Sequence, residues 1–126
     1  MVSKKHKKIL IVEDDKDFLW ILRQSFDNQP LSVLYATTAE DGLDLAKKEQ
    51  PDLIIADILL PKMDGISMVR QIREAGIGAK VVFLTNFSDS GHISDALEAA
   101  GQVDYMVKSD IHIDNIVARV KEKLGV

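Results

Sequence analysis

Glu13, Asp14, Asp57, Thr85 and Lys108 share one trait: each stands where an apolar run stops. ILIV precedes Glu13-Asp14, LIIA precedes Asp57, VVFL precedes Thr85 and VDYMV precedes Lys108. Gathered in one place, the three carboxylates would repel one another. A pair of like charges ~4 Å apart costs about 4 kcal/mol at an effective dielectric of about 20. A hard divalent cation with oxygen ligands relieves this, and Mg²⁺ suits one or two carboxylates plus waters and a phosphate oxygen, with Mn²⁺ able to substitute. A hydroxyl and a cation are the two kinds of group that hold the outer oxygens of a phosphoryl group, and Thr85 and Lys108 supply them. Asp57 would then be a nucleophile that forms an aspartyl phosphate.

The elements that must position these groups alternate along the chain. Lys8–Val12, Leu31–Tyr35, Leu53–Asp57, Lys80–Leu84 and Val103–Val107 read as strands, most of them continuous apolar runs that suit burial on both faces. Between them Phe18, Leu19, Ile21, Leu22 and Phe26 recur at helical spacing, and Thr38 with Asp41 opens a second helix. Pro61 and Asp64-Gly65 supply turn chemistry before a third helix, with Ile66, Val69, Ile72 and Ala75 inward and Gly76 as its stop. Residues 88–100 and 111–124 predict two more. The connections are short enough to require right-handed crossovers, giving a three-layer α/β sandwich around a parallel sheet. Open sheets of this kind place their ligands at the carboxyl ends of the strands, where the chemical groups stand.

Each residue also has a plainer reading. Asp57 could cap a turn or helix, Glu13 and Asp14 could be helix N-terminal acids, although Asp15 and Asp17 suit that role better, and Thr85 could be an ordinary β-branched strand residue. Lys108 could be a surface lysine and Tyr105 a packed strand aromatic. Phe18 and Trp20 are expected to pack on or beside the first helix's apolar stripe. His6, His92 and His112 lack metal-ligand spacing and are expected to be solvated. Gly76-Ile77-Gly78 precedes a strand rather than following one, so it forms no phosphate loop.

At 126 residues the chain is sized for one domain, and 46% hydrophobic and 29% charged residues are ordinary for a globular protein. It holds no apolar run of ~18 residues and no secretory signal pattern. The absence of cysteine excludes disulfides and thiolate metal sites and fits a cytoplasmic protein. A net charge of -4 argues against direct nucleic-acid binding. Residues 1–7 form a basic N-terminal tail ahead of a domain over 8–126.

The motifs ILIVEDD (9–15), PDLIIADILLPKMDG (51–65), VVFLT (81–85) and GQVDYMVKSD (101–110) resemble those of the response regulator receiver domains of two-component signalling, over essentially the whole chain. The resemblance implies a flavodoxin-like (βα)5 fold with strand order 2-1-3-4-5. It implies Mg²⁺ held by Glu13, Asp14, Asp57 and the Leu59 backbone carbonyl, Asp57 as phosphoacceptor, Thr85 as switch hydroxyl, Lys108 as the site lysine and Tyr105 as switch aromatic. Ser109 stands where the family's pattern has a proline after a cis bond. A cis bond before serine would cost ~3 kcal/mol, so a trans bond or a rearranged loop is expected. Asn86 replaces a small residue after Thr85, and the unusual 86–89 segment suggests a late start to the fourth helix.

The expected function is that of a non-enzymatic signalling module. It would take a phosphoryl group from a sensor histidine kinase or phosphotransfer protein and change the face formed by the fourth helix, fifth strand and fifth helix. The chain stops after the last helix, so output is expected through an unknown partner, a phosphorelay or a domain outside it. Asp104 and Arg119 resemble dimer-contact positions of some receivers, and a monomer or weak phosphorylation-dependent homodimer without membrane contact is expected. Leu59 and Phe87 flank the expected phosphoryl site, and their bulk predicts a long-lived phosphoryl state. Three rival functions need other residues at these positions or none of the chemistry. A nucleophilic-aspartate phosphatase would need a second acid where Leu59 stands, and a flavin carrier would place phosphate against Glu13-Asp14-Asp15. A degenerate receiver that binds partners without phosphorylation is the remaining alternative.

Overall fold

The apolar runs become five parallel strands of one sheet, with the first strand between the second and third and the fourth and fifth following the third, the order that the resemblance implies. The computed structural model describes residues 6–86, 103–108 and 112–126. In chain order these form β1 (Lys7–Val12), α1 (Lys16–Phe26), β2 (Leu31–Ala36), α2 (Ala39–Glu49), β3 (Leu53–Asp57), α3 (Gly65–Glu74), β4 (Lys80–Thr85), β5 (Val103–Val107) and a C-terminal helix (Ile113–Leu124). The helix predicted over 88–100 lies outside the described residues, as do Ser109, Phe87 and His92.

Successive strand residues point to opposite faces, and this period of two builds the three layers. Leu10, Val12, Ile54, Ala56, Val81 and Phe83 face one side and pack with Leu43 and Ala46 of α2 and Met68, Val69 and Ile72 of α3. Ile9, Ile11, Leu53, Ile55, Val82, Leu84 and Met106 face the other, against Leu19, Leu22 and Phe26 of α1 and Ile116 and Val120 of the C-terminal helix. Fully burying each such side chain contributes about 1.5–3 kcal/mol, so the helices are held mainly by these stripes.

Caps set the helix starts. The Asp15 side chain accepts from the N–H groups of Asp17 and Phe18, and Thr38 Oγ1 accepts from Asp41 N at 3.1 Å. Asp64 Oδ1 accepts from Ser67 N at 2.7 Å and starts α3. Two expectations about helix phase fail. Trp20 and Ile21 are exposed, because Leu19, Leu22 and Phe26 define the inward stripe and each further residue turns about 100° away from it. Ala75 is exposed too. It is the C-cap of α3, and Met68 takes an inward place instead. β1 begins at Lys7, one residue before the expected start at Lys8, and the C-terminal helix begins at Ile113 rather than at Ile111. His6 and His112 are exposed.

Candidate functional site

The alternation that builds the layers also delivers the chemical side chains. Glu13 follows Ile9 and Ile11 in phase, Asp57 follows Leu53 and Ile55, and Lys108 follows Met106. All of those neighbours face α1 and the C-terminal helix. The three groups therefore leave the C-terminal edge of β1, β3 and β5 on one side of the sheet. Lys108 closes the arrangement. Its Nζ donates to Glu13 Oε1 at 2.6 Å and to Asp57 Oδ2 at 3.0 Å.

The edge is unusual in being both charged and buried. Glu13 and Thr85 are each 1% exposed and Asp57 is 7% exposed. Burial pushes the Glu13 carboxyl above its usual range, and the Asp57 charge adds to this, against the Lys108 and Asp15 hydrogen bonds. Burial alone would lower the Lys108 ammonium, but the two carboxylates outweigh it and hold the group above its usual value. Asp14 is exposed, yet one carboxylate oxygen each from Glu13, Asp14 and Asp57 lie within 4.8 Å of one another. Three oxygen donors at that spacing are a donor set for a hard cation, and the set fits Mg²⁺.

Local backbone bonds hold the carboxylates in place. Asp15 N donates to Glu13 Oε2 at 3.0 Å, and Leu59 N donates to Asp57 Oδ1 at 3.1 Å. The loop after β3 then returns tightly, with Gly65 N donating to Ile58 O at 2.8 Å. A Cβ on residue 65 would lie 2.1 Å from the Asp57 carbonyl oxygen, so only glycine fits there. The sequence marked Gly65 as turn chemistry and missed this contact; the Asp64-Gly65 pair after Asp57 was the available signal.

Thr85 ends β4, opposite Val107 in register and one residue beyond Leu84, which pairs with Asp57. It falls in phase with Val81 and Phe83, on the α2–α3 side. Tyr105 lies on β5 with its side chain exposed. Leu59 is exposed on the loop beside Asp57. Asp104 pairs within the chain with Arg119 and, at 3.6 Å, with Lys123. With Ser109 in place of the family's proline, Lys108 Nζ nevertheless reaches both carboxylates. Phe18, expected only to pack, has its ring centroid 4.6 Å from Lys108 Nζ.

The comparisons with known proteins give the family and the fold. The family model for the response regulator receiver domain matches residues 9–121. The alkaline phosphatase synthesis transcriptional regulatory protein PhoP of Bacillus subtilis is 34% identical over 103 residues, covering 82% of this chain and 42% of that protein. The transcriptional regulatory protein AfsQ1 of Streptomyces coelicolor is 36% identical over 100 residues, covering 79% of this chain and 44% of that protein. The chain thus spans less than half the length of these relatives. Among solved structures, a CheY-like response regulator receiver domain protein from Methanospirillum hungatei JF-1 superposes with a TM-score of 0.87 at 28% identity, covering 96% of this chain and 95% of that one. The chain belongs to the response regulator receiver domain family.

Proposed function

We propose that the chain is a phosphoacceptor module in which Asp57 takes a phosphoryl group from the phosphohistidine of a sensor histidine kinase or phosphotransfer protein. An Asp57 carboxylate oxygen attacks phosphorus, the P–N bond breaks with its electron pair remaining on the imidazole nitrogen, and an acyl phosphate results. The observation that carries this reading is the buried Lys108 ammonium bridging Glu13 and Asp57 at the C-terminal edge of the sheet. It gives the two carboxyl groups a cationic partner and would offer that cation to the incoming phosphoryl oxygens.

Receiver domains bind Mg²⁺ through acidic residues, and here Glu13, Asp14 and Asp57, with the Leu59 backbone carbonyl, would hold it. The ion supplies charge neutralisation to the carboxylates and the phosphoryl oxygens. Thr85 would donate its hydroxyl to the phosphoryl group, and Tyr105 would move inward as it does so, changing the β5 and C-terminal helix face that meets a partner. Leu59 would hinder an attacking water and prolong the phosphorylated state. The module would catalyse only its own phosphorylation and dephosphorylation, in the cytoplasm, as a monomer or weak dimer. Among the described residues no helix is long and apolar enough to cross a membrane.

Incubation with Mg²⁺ and acetyl phosphate tests the proposal. The wild type should gain ~80 Da, the mass of one phosphoryl group, and Asp57→Asn should not. No gain in the wild type would favour the degenerate receiver that binds partners without phosphorylation. Equal gain in both would remove Asp57 from its role.

A further inference from the structure

Lys108 carries a long, flexible side chain, yet the site requires its ammonium at one point between two carboxylates. Its position there rests on what the side chain touches. An ammonium has three N–H donors and no acceptor. Glu13 Oε1 and Asp57 Oδ2 take two directions, and the Phe18 ring lies 4.6 Å from Nζ, within the ~6 Å range of a cation–π contact.

The contacts of Phe18 form a closed circuit. Asp15 N donates to Glu13 Oε2 at 3.0 Å, Phe18 N donates to Asp15 Oδ1 at 3.2 Å, the Phe18 ring meets Lys108, and Lys108 donates back to Glu13. The cap of α1 therefore fixes the backbone of the residue whose ring bounds the ammonium. Phe18 is half-buried, one turn before Leu22, and packs against the cluster that holds Leu19, Leu22 and Phe26.

We infer that Phe18 is a positioning residue for phosphoryl transfer, its ring face holding the Lys108 ammonium over Glu13 and Asp57. The inference rests on the phosphoacceptor reading given above. Leucine at position 18 keeps an apolar side chain and helix propensity but removes the π face, whereas tyrosine or tryptophan keeps it.

The test measures the rate of Asp57 phosphorylation by acetyl phosphate with Mg²⁺ in wild type, Phe18→Leu, Phe18→Tyr and Phe18→Trp, all checked for native urea midpoints. In this step a carboxylate oxygen bonds to phosphorus and acetate leaves with the electron pair of the broken P–O bond. Phe18→Leu should slow the reaction about tenfold, the range of a partly desolvated cation–π contact. The aromatic variants should restore it, and Phe18→Leu should have no further effect in a Lys108→Ala background. In the metal-free protein, the Lys108 ε-methylene protons should be shifted upfield by the ring, and Phe18→Leu should abolish that shift. A wild-type rate in Phe18→Leu overturns the inference, as does a slow rate that the aromatic variants do not rescue. If the wild type takes up no phosphoryl group, the phosphoacceptor reading fails, while the methylene shift still decides the contact: unchanged in Phe18→Leu, it overturns the placement of Lys108 by Phe18.

Discussion

At the C-terminal edge of the sheet Lys108 lies between Glu13 and Asp57, with side-chain exposures of 10%, 1% and 9%. At the opposite edge Lys8 meets Glu49 at 3.3 Å, with side chains 42% and 30% exposed. There Asp52, which precedes β3 as Asp57 ends it, is held by the backbone: its Oδ2 accepts from Lys8 N at 2.8 Å, and its own N and O join the Lys8 and Lys80 main chain. The same residue types thus occur at both ends of β3. In water, a lysine–carboxylate pair trims a loop and contributes little. Under the cover of α1 and the tight loop to Gly65, it becomes a site in which each charge depends on the others.

The glycines give the sharpest contrast. Gly65→Ala should destabilise the protein by about 4 kcal/mol, because its Cβ meets the backbone oxygen of Asp57. Gly78→Ala, at the opposite edge where a Cβ meets nothing within 4 Å, should change stability by less than about 0.5 kcal/mol. Urea unfolding of both variants measures this difference. Equal midpoints would mean that the loop yields and that the edge is not closely built.

Lys108→Ala should come next, at about 3 kcal/mol in metal-free buffer, since it strands two buried carboxylates. Lys8→Ala should cost no more than about 0.5 kcal/mol. Added Mg²⁺ should recover part of the loss in Lys108→Ala and none in Lys8→Ala, as thermal melts with and without the ion would show.

The ion pairs between β5 and the C-terminal helix should be intermediate in character and small in effect. Burial alone would raise the Asp104 carboxyl, but Arg119 and Lys123 overrule it and hold the group below its usual 3.8. A carboxylate ionised more readily in the fold than in the unfolded chain stabilises fully above pH 3.8 and loses that contribution as pH falls through its lower folded value. Asp104→Asn should therefore lose up to ~0.5 kcal/mol near neutrality and show a shallower acid dependence below that pH. Denaturant midpoints across the acid range measure both. An unchanged acid slope would mean that Arg119 and Lys123 add nothing in solution.

Much of this edge was legible in the sequence because period-two strands end on the groups that do the chemistry. LIIAD and ILIVED announce both the buried strands and the acids at their ends, whereas the strand order came from the resemblance to receiver domains and not from the patterns. What escaped depended on rotation and reach. Trp20 and Ile21 stand next to the apolar positions of α1 in sequence but turn outward by helical phase. The placement of Lys108 could not be read from Ser109, because a four-carbon stem can reach a site from several backbone paths. The approach of Gly65 to Asp57 was signalled only by the Asp64-Gly65 pair, and that of Phe18 to Lys108 depends on packing between separate elements, which no local pattern encodes.

The peptide from Glu49 to Lys62, released by trypsin, contains both Asp52 and Asp57, one from each edge. Reducing the acyl phosphate with borohydride after reaction with acetyl phosphate and Mg²⁺, then sequencing that peptide by mass spectrometry, shows which aspartate was modified. Modification at Asp57 alone is the predicted result; modification at Asp52, at Asp14 in its own peptide, or at no aspartate would contradict the account.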